Sequence, residues 1–447
     1  MGNKNDNPDY VKPLRQLFME LLALNSADNE DAAEMYFHSY IGAYLNKVKI
    51  TDGISNKDLR VSTVWVQTAR SGKGRMNKAF KRICDETGVL CQIITQYTEA
   101  GLIGTIDEEA VKHNDKYIGE GLCETTPEVI VKDPKGNDKA VQWRDPVIRG
   151  DAGNYDILIF DEMQILLEPK KENQEILLTL QPALDCPPYV RKKLRSKYPI
   201  EYSNPITIIG TTYPFMSIPK ILATGGFLQR TFILFRKLTI TEVKAMKNAQ
   251  QKLFDPAVPK LFEQKLEIFK DRMSKIGRTE RLLVLEPAAR LEILHIGEYF
   301  IDMIQNRKGV GREALLSFAN TVEETCLKIA AQYVVIHGNQ KTISAHDIKR
   351  NYEVAKRFME ILVNKIDVRE DKETEQEIQK VIGAFKRAIT LKQRDYLSKL
   401  EFKTVLNAAL HKGTNACGNL IDSYTEAGYF LKKTGGKNQF NYYLSEE

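Results

Sequence analysis

Trp65-Val66-Gln67-Thr68-Ala69-Arg70-Ser71-Gly72-Lys73-Gly74-Arg75 is the stretch on which the fold turns. An apolar run, Val61 to Val66, leads into it, and a basic run of helical character, Arg75 to Cys84, leaves it. A strand, a small-residue loop with a Gly-Lys pair and then a helix make the layout of a phosphate-binding loop. Such a loop uses backbone N–H groups, a helix N-terminus and a lysine to hold the anion. The full pattern is G-x-x-x-x-G-K-[ST]. Here Gln67 stands where the first glycine belongs, and Gly74 stands where a hydroxyl residue would reach Mg2+. Taken alone, the stretch reads equally as a Gly-Lys-Gly turn on a basic surface.

Outward from this stretch, the composition is that of a globular protein. The 447 residues are 43% hydrophobic and 28% charged, enough for a sizeable core and roughly two to four domains. No apolar run approaches the roughly 18 residues of a membrane-spanning helix, so no membrane partner is expected. The polar start, Met1 to Asp6, has no apolar segment of a secretory signal, and Asp6 stands where a myristoylation site needs Ser or Thr. The six cysteines, Cys84, Cys91, Cys123, Cys186, Cys326 and Cys417, form no C-x-x-C pair. That spacing fits reduced thiols of a cytoplasmic protein and argues against zinc or a disulfide framework. A net charge of +6 permits nucleic-acid binding where the cations cluster.

Pro13 to Tyr44 reads as two helices, with Leu14, Leu17, Phe18, Leu21 and Leu22 at helical spacing. After the Gly-Lys loop and its helix, Leu90 to Ile94 is a second strand, and strand-helix-strand implies a parallel sheet. Glu99 to Asn154 is irregular. It holds a predicted hairpin, Glu128 to Val131 with Ala140 to Trp143, joined by Asp133-Pro134-Lys135-Gly136-Asn137. Tyr155-Asp156-Ile157-Leu158-Ile159-Phe160-Asp161-Glu162 is a buried parallel strand ending in two carboxylates. Acids at the C-terminal end of such a strand sit where open α/β sheets bind ligands. Asp161 could hold Mg2+ directly or through water, and Glu162 could polarise a water. Asn173 to Leu184 is a predicted helix. Five cations follow between Tyr189 and Tyr198: Arg191, Lys192, Lys193, Arg195 and Lys197. They read either as a solvated face or as a projecting loop or hairpin that grips a phosphate backbone. Pro205 to Gly210 is a further strand, ending in Thr211-Thr212-Tyr213. Gly225 to Phe235 gives one more, with Arg230 just before it.

From Thr239 to Leu362 the pattern is helical: Leu282 to Asn306 is amphipathic, Arg312 opens a helix from Glu313 to Tyr333, and Ser344 caps another. Val368 to Glu377 is highly charged and reads as a linker or a solvated helix start. Gln393 to Leu400, Lys403 to His411 and Ala416 to Ala427 read as three helices, followed by a hairpin from Gly428 to Leu444. This is winged-helix architecture, a module that contacts either DNA or protein. Its third helix carries no Lys or Arg between Asn415 and Ala427.

The ordered series of Gly-Lys loop, Asp-Glu strand end, polar strand end, Arg before a strand and Arg at a later helix start resembles that of AAA+ ATPases. Particular segments are similar to the minichromosome-maintenance (MCM) helicases and the related helicases of phages and plasmids. Ala100-Gly101-Leu102-Ile103-Gly104-Thr105 is similar to their A-G-L-T-A-S segment. Asp133-Pro134-Lys135-Gly136 with Gly150-Asp151-Ala152-Gly153 follows their D-P-x-x-G … L-A-D-x-G pattern. Ile208-Ile209-Gly210-Thr211-Thr212-Tyr213-Pro214 looks like their A-A-A-N-P sensor segment, with Thr212 or Tyr213 near the expected Asn. Phe227-Leu228-Gln229-Arg230-Thr231-Phe232 is similar to L-L-S-R-F-D. Arg312 with Leu315, Leu316, Phe318 and Ala319 matches a sensor-2 helix, and Ser344 to Ile348 matches the start of the last lid helix.

The resemblance implies an α/β fold: an AAA+ P-loop ATPase core at 57–238 with a helical lid at 239–366. A helical N-terminal extension would occupy 1–56, a linker 367–388 and a winged-helix domain 389–447. It further implies a ring, a homo-oligomer of six copies, that couples ATP and Mg2+ to movement along DNA held in a central pore during replication of a mobile element. Ala69, Arg70, Ser71, Gly72, Lys73, Gly74 and Arg75 would surround the phosphates, with Lys73 on the β/γ-phosphates. Asp161 would organise Mg2+, Glu162 would orient water, and Thr212 would stand at the sensor position. Arg230 would reach a neighbour's nucleotide, unless it is simply a surface arginine, and Arg312 would sense the γ-phosphate. Lys192, Lys193, Arg195 and Lys197 would grip DNA. The missing hydroxyl at Gly74 leaves a second reading open: an ATP-binding initiator or helicase loader that hydrolyses ATP weakly or not at all.

Overall fold

The structure is a computed structural model. It describes residues 12–24, 30–67, 72–95, 98–163, 166–167, 171–184, 190–192, 200–202, 206–212, 218–219, 227–236, 239–241, 243–244, 255–305, 315–316, 318–338, 340–365, 368–369, 372–410, 414–426, 429–435 and 439–445.

The chain opens with two helices. In α1 (Leu14–Ala23) the apolar residues at helical spacing form one buried stripe. Helix α2 (Glu30–Tyr44) is buried on every side from Ala32 to Tyr44, as expected of a helix in the interior rather than on a surface. The Phe18 ring lies 5.5 Å from Phe37, 5.4 Å from Tyr40 and 5.5 Å from Phe269. At Gly42 a Cβ would come within 2.5 Å of the Leu59 carbonyl oxygen, so only glycine lets α2 ride on the backbone entering the main sheet.

Strands β1 (Val48–Thr51) and β2 (Asn56–Asp58) follow, then β3 (Ser62–Gln67), helix α3 (Lys73–Thr87), β4 (Cys91–Ile94) and β5 (Ile157–Phe160). Next come helix α4 (Lys171–Leu184), the antiparallel pair β6 (Val190–Lys192) and β7 (Ile200–Tyr202), β8 (Thr207–Thr212) and β9 (Thr231–Arg236). The main sheet is parallel throughout, in the order β9-β3-β8-β5-β4. Every residue of β3, β5 and β8 is buried, which is why these strands are continuous apolar runs in sequence. The crossover from β3 leads to the far edge at β4. The crossover from β8 leads back past β3 to β9. The connections leaving the neighbours β3 and β8 therefore run in opposite directions along the sheet, and ligands of open α/β sheets bind at the C-terminal ends of strands where the strand order reverses. The predicted hairpin between β4 and β5 is present, with Glu128 facing Gln142 and Lys132 facing Asp138.

Several expectations are corrected. The first concerns Leu282 to Asn306, which is not one helix. Arg281–Leu285 is strand β10, and helix α6 (Pro287–Ile304) starts behind it with Pro287 at its first position, after α5 (Ala257–Ile276). Strand β10 pairs in parallel with β1 and with β11 (Thr342–Ile343), giving a second sheet of order β11-β10-β1-β2. Distant pairing overrides a weak helical pattern. The boundary expected at 56/57 falls inside β2, and one apolar core runs from Leu14 to Met359. The second concerns the single helix expected over Glu313 to Tyr333: Leu315 and Leu316 are helical, but Phe318 is a turn residue that caps helix α7 (Ala319–His337), and Arg312, Glu313, Ala314 and Ser317 lie outside the described residues. The cap expected at Ser344 is present at the start of α8 (Ala345–Arg350), as a reciprocal box with Asp347, and α9 (Tyr352–Lys365) follows.

The third correction concerns 367–388. Its residues from Lys372 belong to helix α10 (Lys372–Leu391). Ile378, Val381 and Phe385 of this helix build a second apolar core with Leu397, Phe402, Leu406, Ile421, Phe430 and Tyr442. Gln393 to Leu400 is not a helix either. Gln393 takes a left-handed φ of 50°, and Tyr396–Ser398 is strand β12. Helices α11 (Lys399–Leu410) and α12 (Thr414–Glu426) and the hairpin of β13 (Phe430–Thr434) and β14 (Phe440–Leu444) complete this unit. Among the described residues no helix is long and apolar enough to cross a membrane.

Candidate functional site

The site forms where β3, β8 and β5 end. Gly72 caps α3 with a left-handed backbone, φ 86° and ψ 3°, which lets the chain turn from strand to helix where a side chain would strain it. Lys73 is the first residue of α3. Its ammonium donates to the Gln67 carbonyl at 2.6 Å and to the Thr212 carbonyl at 3.1 Å, so it ties the ends of β3 and β8 together. Burial lowers the Lys73 pKa to about 8, against the opposing pull of the Asp161 charge. Thr212 is buried at the end of β8. Ala69, Arg70 and Ser71 lie outside the described residues, and Arg75 is exposed on the first turn of α3.

Asp161 follows β5 directly. Its Oδ1 accepts from Asn77 Nδ2 at 2.7 Å, and its backbone carbonyl accepts from the Thr211 hydroxyl at 2.6 Å. Asn77 Oδ1 in turn accepts from the Tyr36 hydroxyl at 2.7 Å. Glu162 is exposed in the same turn. Gly74 faces Asp161: a Cβ placed there would have Asp161 Oδ2, at 3.8 Å, as its neighbour. Among the described residues no group of three or more His, Cys, Asp or Glu is arranged to hold a metal ion. A divalent cation here would have one protein carboxylate, its other oxygens coming from phosphate and water, as is usual for Mg2+ at a nucleotide.

Lys73, Asp161, Glu162 and Thr212 are thus brought to one edge of the sheet. Arg230 is not among them. It ends a short 3-10 turn (Leu228–Arg230) at the start of β9, where Thr231 pairs with Ser62. Lys73 stands beyond the other end of β3. Six strand residues separate the two levels, roughly 20 Å at about 3.3 Å per residue. Arg230 lines a cavity of about 210 Å³ with Arg60, Gln229, Asn320, Glu324 and Lys328. Behind this cavity the buried Arg60 pairs with Asp58 through its Nε, and its Nη atoms donate to the carbonyls of Ala183 and Ile206. Lys328 donates to Glu324 at 2.7 Å and lies 3.6 Å from Asp58.

The basic run is held at its base by the β6–β7 pair, in which Val190 faces Tyr202 and Lys192 faces Ile200. Lys193, Arg195 and Lys197, like Arg312, lie outside the described residues.

Asn77 and Tyr36 carry no sequence motif and were not expected at the site, while Thr211 lies in the sensor-like segment one residue before the Thr212 singled out there. Asn77 had a usable signal, since it follows Lys73 by four residues and so shares its helix face. Tyr36 had none, because 41 residues separate it from Asn77. No protein-family model matches the chain, and no curated protein matches it significantly.

Proposed function

We propose that the chain is an AAA+ ATPase, acting as a ring-shaped DNA helicase or translocase in the replication of a mobile element. One observation carries this reading. The lysine that opens α3 reaches the end of β8 beside the Asp161 carboxylate, where the crossovers of a parallel β9-β3-β8-β5-β4 sheet diverge. A lysine, a helix N-terminus and a carboxylate converging there suit a nucleoside triphosphate with a divalent cation.

In this reading ATP and Mg2+ occupy the edge formed by Gly72, Lys73, Gly74 and Asp161, with Ala69, Arg70, Ser71 and Arg75 around the phosphates. When bound, Mg·ATP supplies the phosphoryl group and the metal charge that stabilises it. Lys73 neutralises phosphate charge. Asp161 holds the cation. Glu162, exposed beside it, accepts a proton from water, and Thr212 fixes the Lys73 ammonium through its carbonyl. Arg230 and Arg312 serve the γ-phosphate. The distance of Arg230 from Lys73 within one chain favours its action on a second copy, and so a homo-oligomer, read as a hexamer. Lys192, Lys193, Arg195 and Lys197 contact the DNA backbone from the segment based on β6 and β7. The C-terminal order of helix, strand, two helices and hairpin supports the winged-helix reading.

DNA-stimulated ATP hydrolysis tests the proposal. Lys73→Ala and Glu162→Gln are each expected to lower it on the order of 100-fold or more, with Glu162→Gln still binding nucleotide. Equal background hydrolysis in wild type and both variants overturns the enzyme reading. One observation then favours an ATP-gated initiator or loader: Gly74 offers no hydroxyl to the cation. Unwinding of a forked duplex separates helicase from loader.

A further inference from the structure

Asp161 is held from behind by residues that belong to no nucleotide-binding motif. Tyr36 and Asn77 are both fully buried. A buried amide needs partners at both ends, and Asn77 has them: Tyr36 donates to its Oδ1, and its Nδ2 donates to Asp161 Oδ1, each at 2.7 Å. An ionised carboxylate only accepts, so Asp161 takes the Nδ2 end of the amide and leaves Oδ1 to the Tyr36 hydroxyl, which donates to it. Burial, with the nearby Asp161 and Cys91 charges, keeps that hydroxyl protonated far above the ordinary tyrosine range. Thr211 anchors the backbone carbonyl of Asp161 at 2.6 Å. With Oδ1 engaged, Oδ2 faces Gly74: among the described residues outside α3 itself, a Cβ built on Gly74 meets this oxygen, at 3.8 Å. In a complete G-x-x-x-x-G-K-[ST] loop the residue at this position brings a hydroxyl to the cation. Here the residue is glycine and brings none.

We propose that Tyr36 and Asn77 are positioning residues that compensate for the missing hydroxyl. They lock the Asp161 carboxylate with Oδ2 presented to the space beside Gly74, so that Asp161 alone among protein groups holds the divalent cation of a bound nucleotide. Helix α2 of the N-terminal extension is thereby part of the nucleotide site. The inference rests on the nucleotide-binding reading given above. It goes further in naming which buried pair sets cation affinity and which position was left empty in exchange.

The test is binding of a fluorescent ATP analogue to the full chain, measured with increasing Mg2+ and again in excess EDTA. Asn77→Ala is expected to raise the half-maximal Mg2+ concentration about 10-fold to 100-fold, the usual effect of removing a group that orients a metal ligand. Tyr36→Phe, which keeps the ring and removes the donor, should raise it about 3-fold to 10-fold. In EDTA both variants should bind the analogue within about twofold of wild type. Gly74→Ser supplies the absent hydroxyl, with its Cβ in ordinary contact with Asp161 Oδ2. It should lower the Mg2+ requirement of the wild type and restore that of Asn77→Ala. The inference is overturned by an unchanged Mg2+ requirement in Asn77→Ala. It is equally overturned by a loss of binding of the same size with and without Mg2+, which marks a purely structural role, or by failure of Gly74→Ser to restore Asn77→Ala. A wild-type chain that binds no analogue in either condition removes the nucleotide reading itself, and this inference with it.

Discussion

Lys73 and His38 are the residues whose protonation the fold shifts in opposite functional directions. A lysine titrates ordinarily near 10.5, and burial brings Lys73 to about 8. Between those values the unfolded chain holds a proton that the folded chain has released. Stability therefore rises with pH across that window, and the cost of burying the ammonium is greatest below about 8. Phosphate binding needs the ammonium, so nucleotide affinity is expected to fall as pH rises through about 8. Calorimetry near pH 8.5, in two buffers of different ionisation enthalpy, should show proton uptake on binding; equal heats in both reject the prediction. His38 is fully buried on α2 with Nδ1 2.8 Å from Gln332 Oε1, and burial lowers its pKa to about 4. Its neutral form is the folded one. The stability it contributes is complete above about 6.5 and lost as pH falls towards about 4. Urea midpoints between pH 6.5 and 4 should drop less steeply in His38→Gln than in wild type.

Among the elements, α8 offers the most direct test of a local rule. Ser344 and Asp347 close a reciprocal capping box, and Ser344→Ala is expected to cost about 1 kcal/mol in chemical denaturation. That cap was legible in the sequence because its physics is local, and so were the strands β3, β5 and β8, whose burial on both faces writes continuous apolar runs. Lys73, Asp161 and Glu162 were legible for the same reason, being attached to strand ends. Other elements were hidden by distance. Strand β10 takes its identity from β1, more than 200 residues earlier, and nothing within Leu282–Leu285 announces that partner. Helix α10 was hidden by charge. Its acidic start reads equally as a linker or as a solvated helix start, although Ile378, Val381 and Phe385 already lie at helical spacing. Tyr36 was hidden as well, since its role depends on a side chain in another element and it sits in a helix that is buried on every side.

At the scale of the whole molecule, two apolar cores divide the chain. One spans Leu14 to Met359 and the other begins at Ile378. Phe385 lies at the centre of the second, its ring 4.9 Å from both Phe402 and Phe430. Phe385→Ala is expected to destabilise that unit by about 3–5 kcal/mol while leaving nucleotide binding unchanged, as read by calorimetric melting alongside the fluorescent-analogue titration. Beside the first core, Arg60, Asp58, Lys328 and Glu324 form a charged group that opens to solvent at Glu324. Arg60 and Asp58 are 4% and 2% exposed, so Arg60→Ala leaves a buried carboxylate without its closest partner and should cost about 3–5 kcal/mol.

The two carbonyls that Arg60 holds belong to the end of α4 and to the residue before β8, and everything from Leu184 to Pro205 lies between them. One guanidinium thus works as a clasp between the two ends of this span. With its ends pinned, a change of length or sequence at 193–199 is expected to leave the register of the strands that lead to Asp161 and Thr212 intact. Replacing residues 193–199 with a short Gly-Ser turn should therefore leave the melting temperature within a few degrees of wild type. On the proposed helicase reading, the same replacement should abolish stimulation of hydrolysis by DNA, which separates the part that meets the partner from the part that holds the fold.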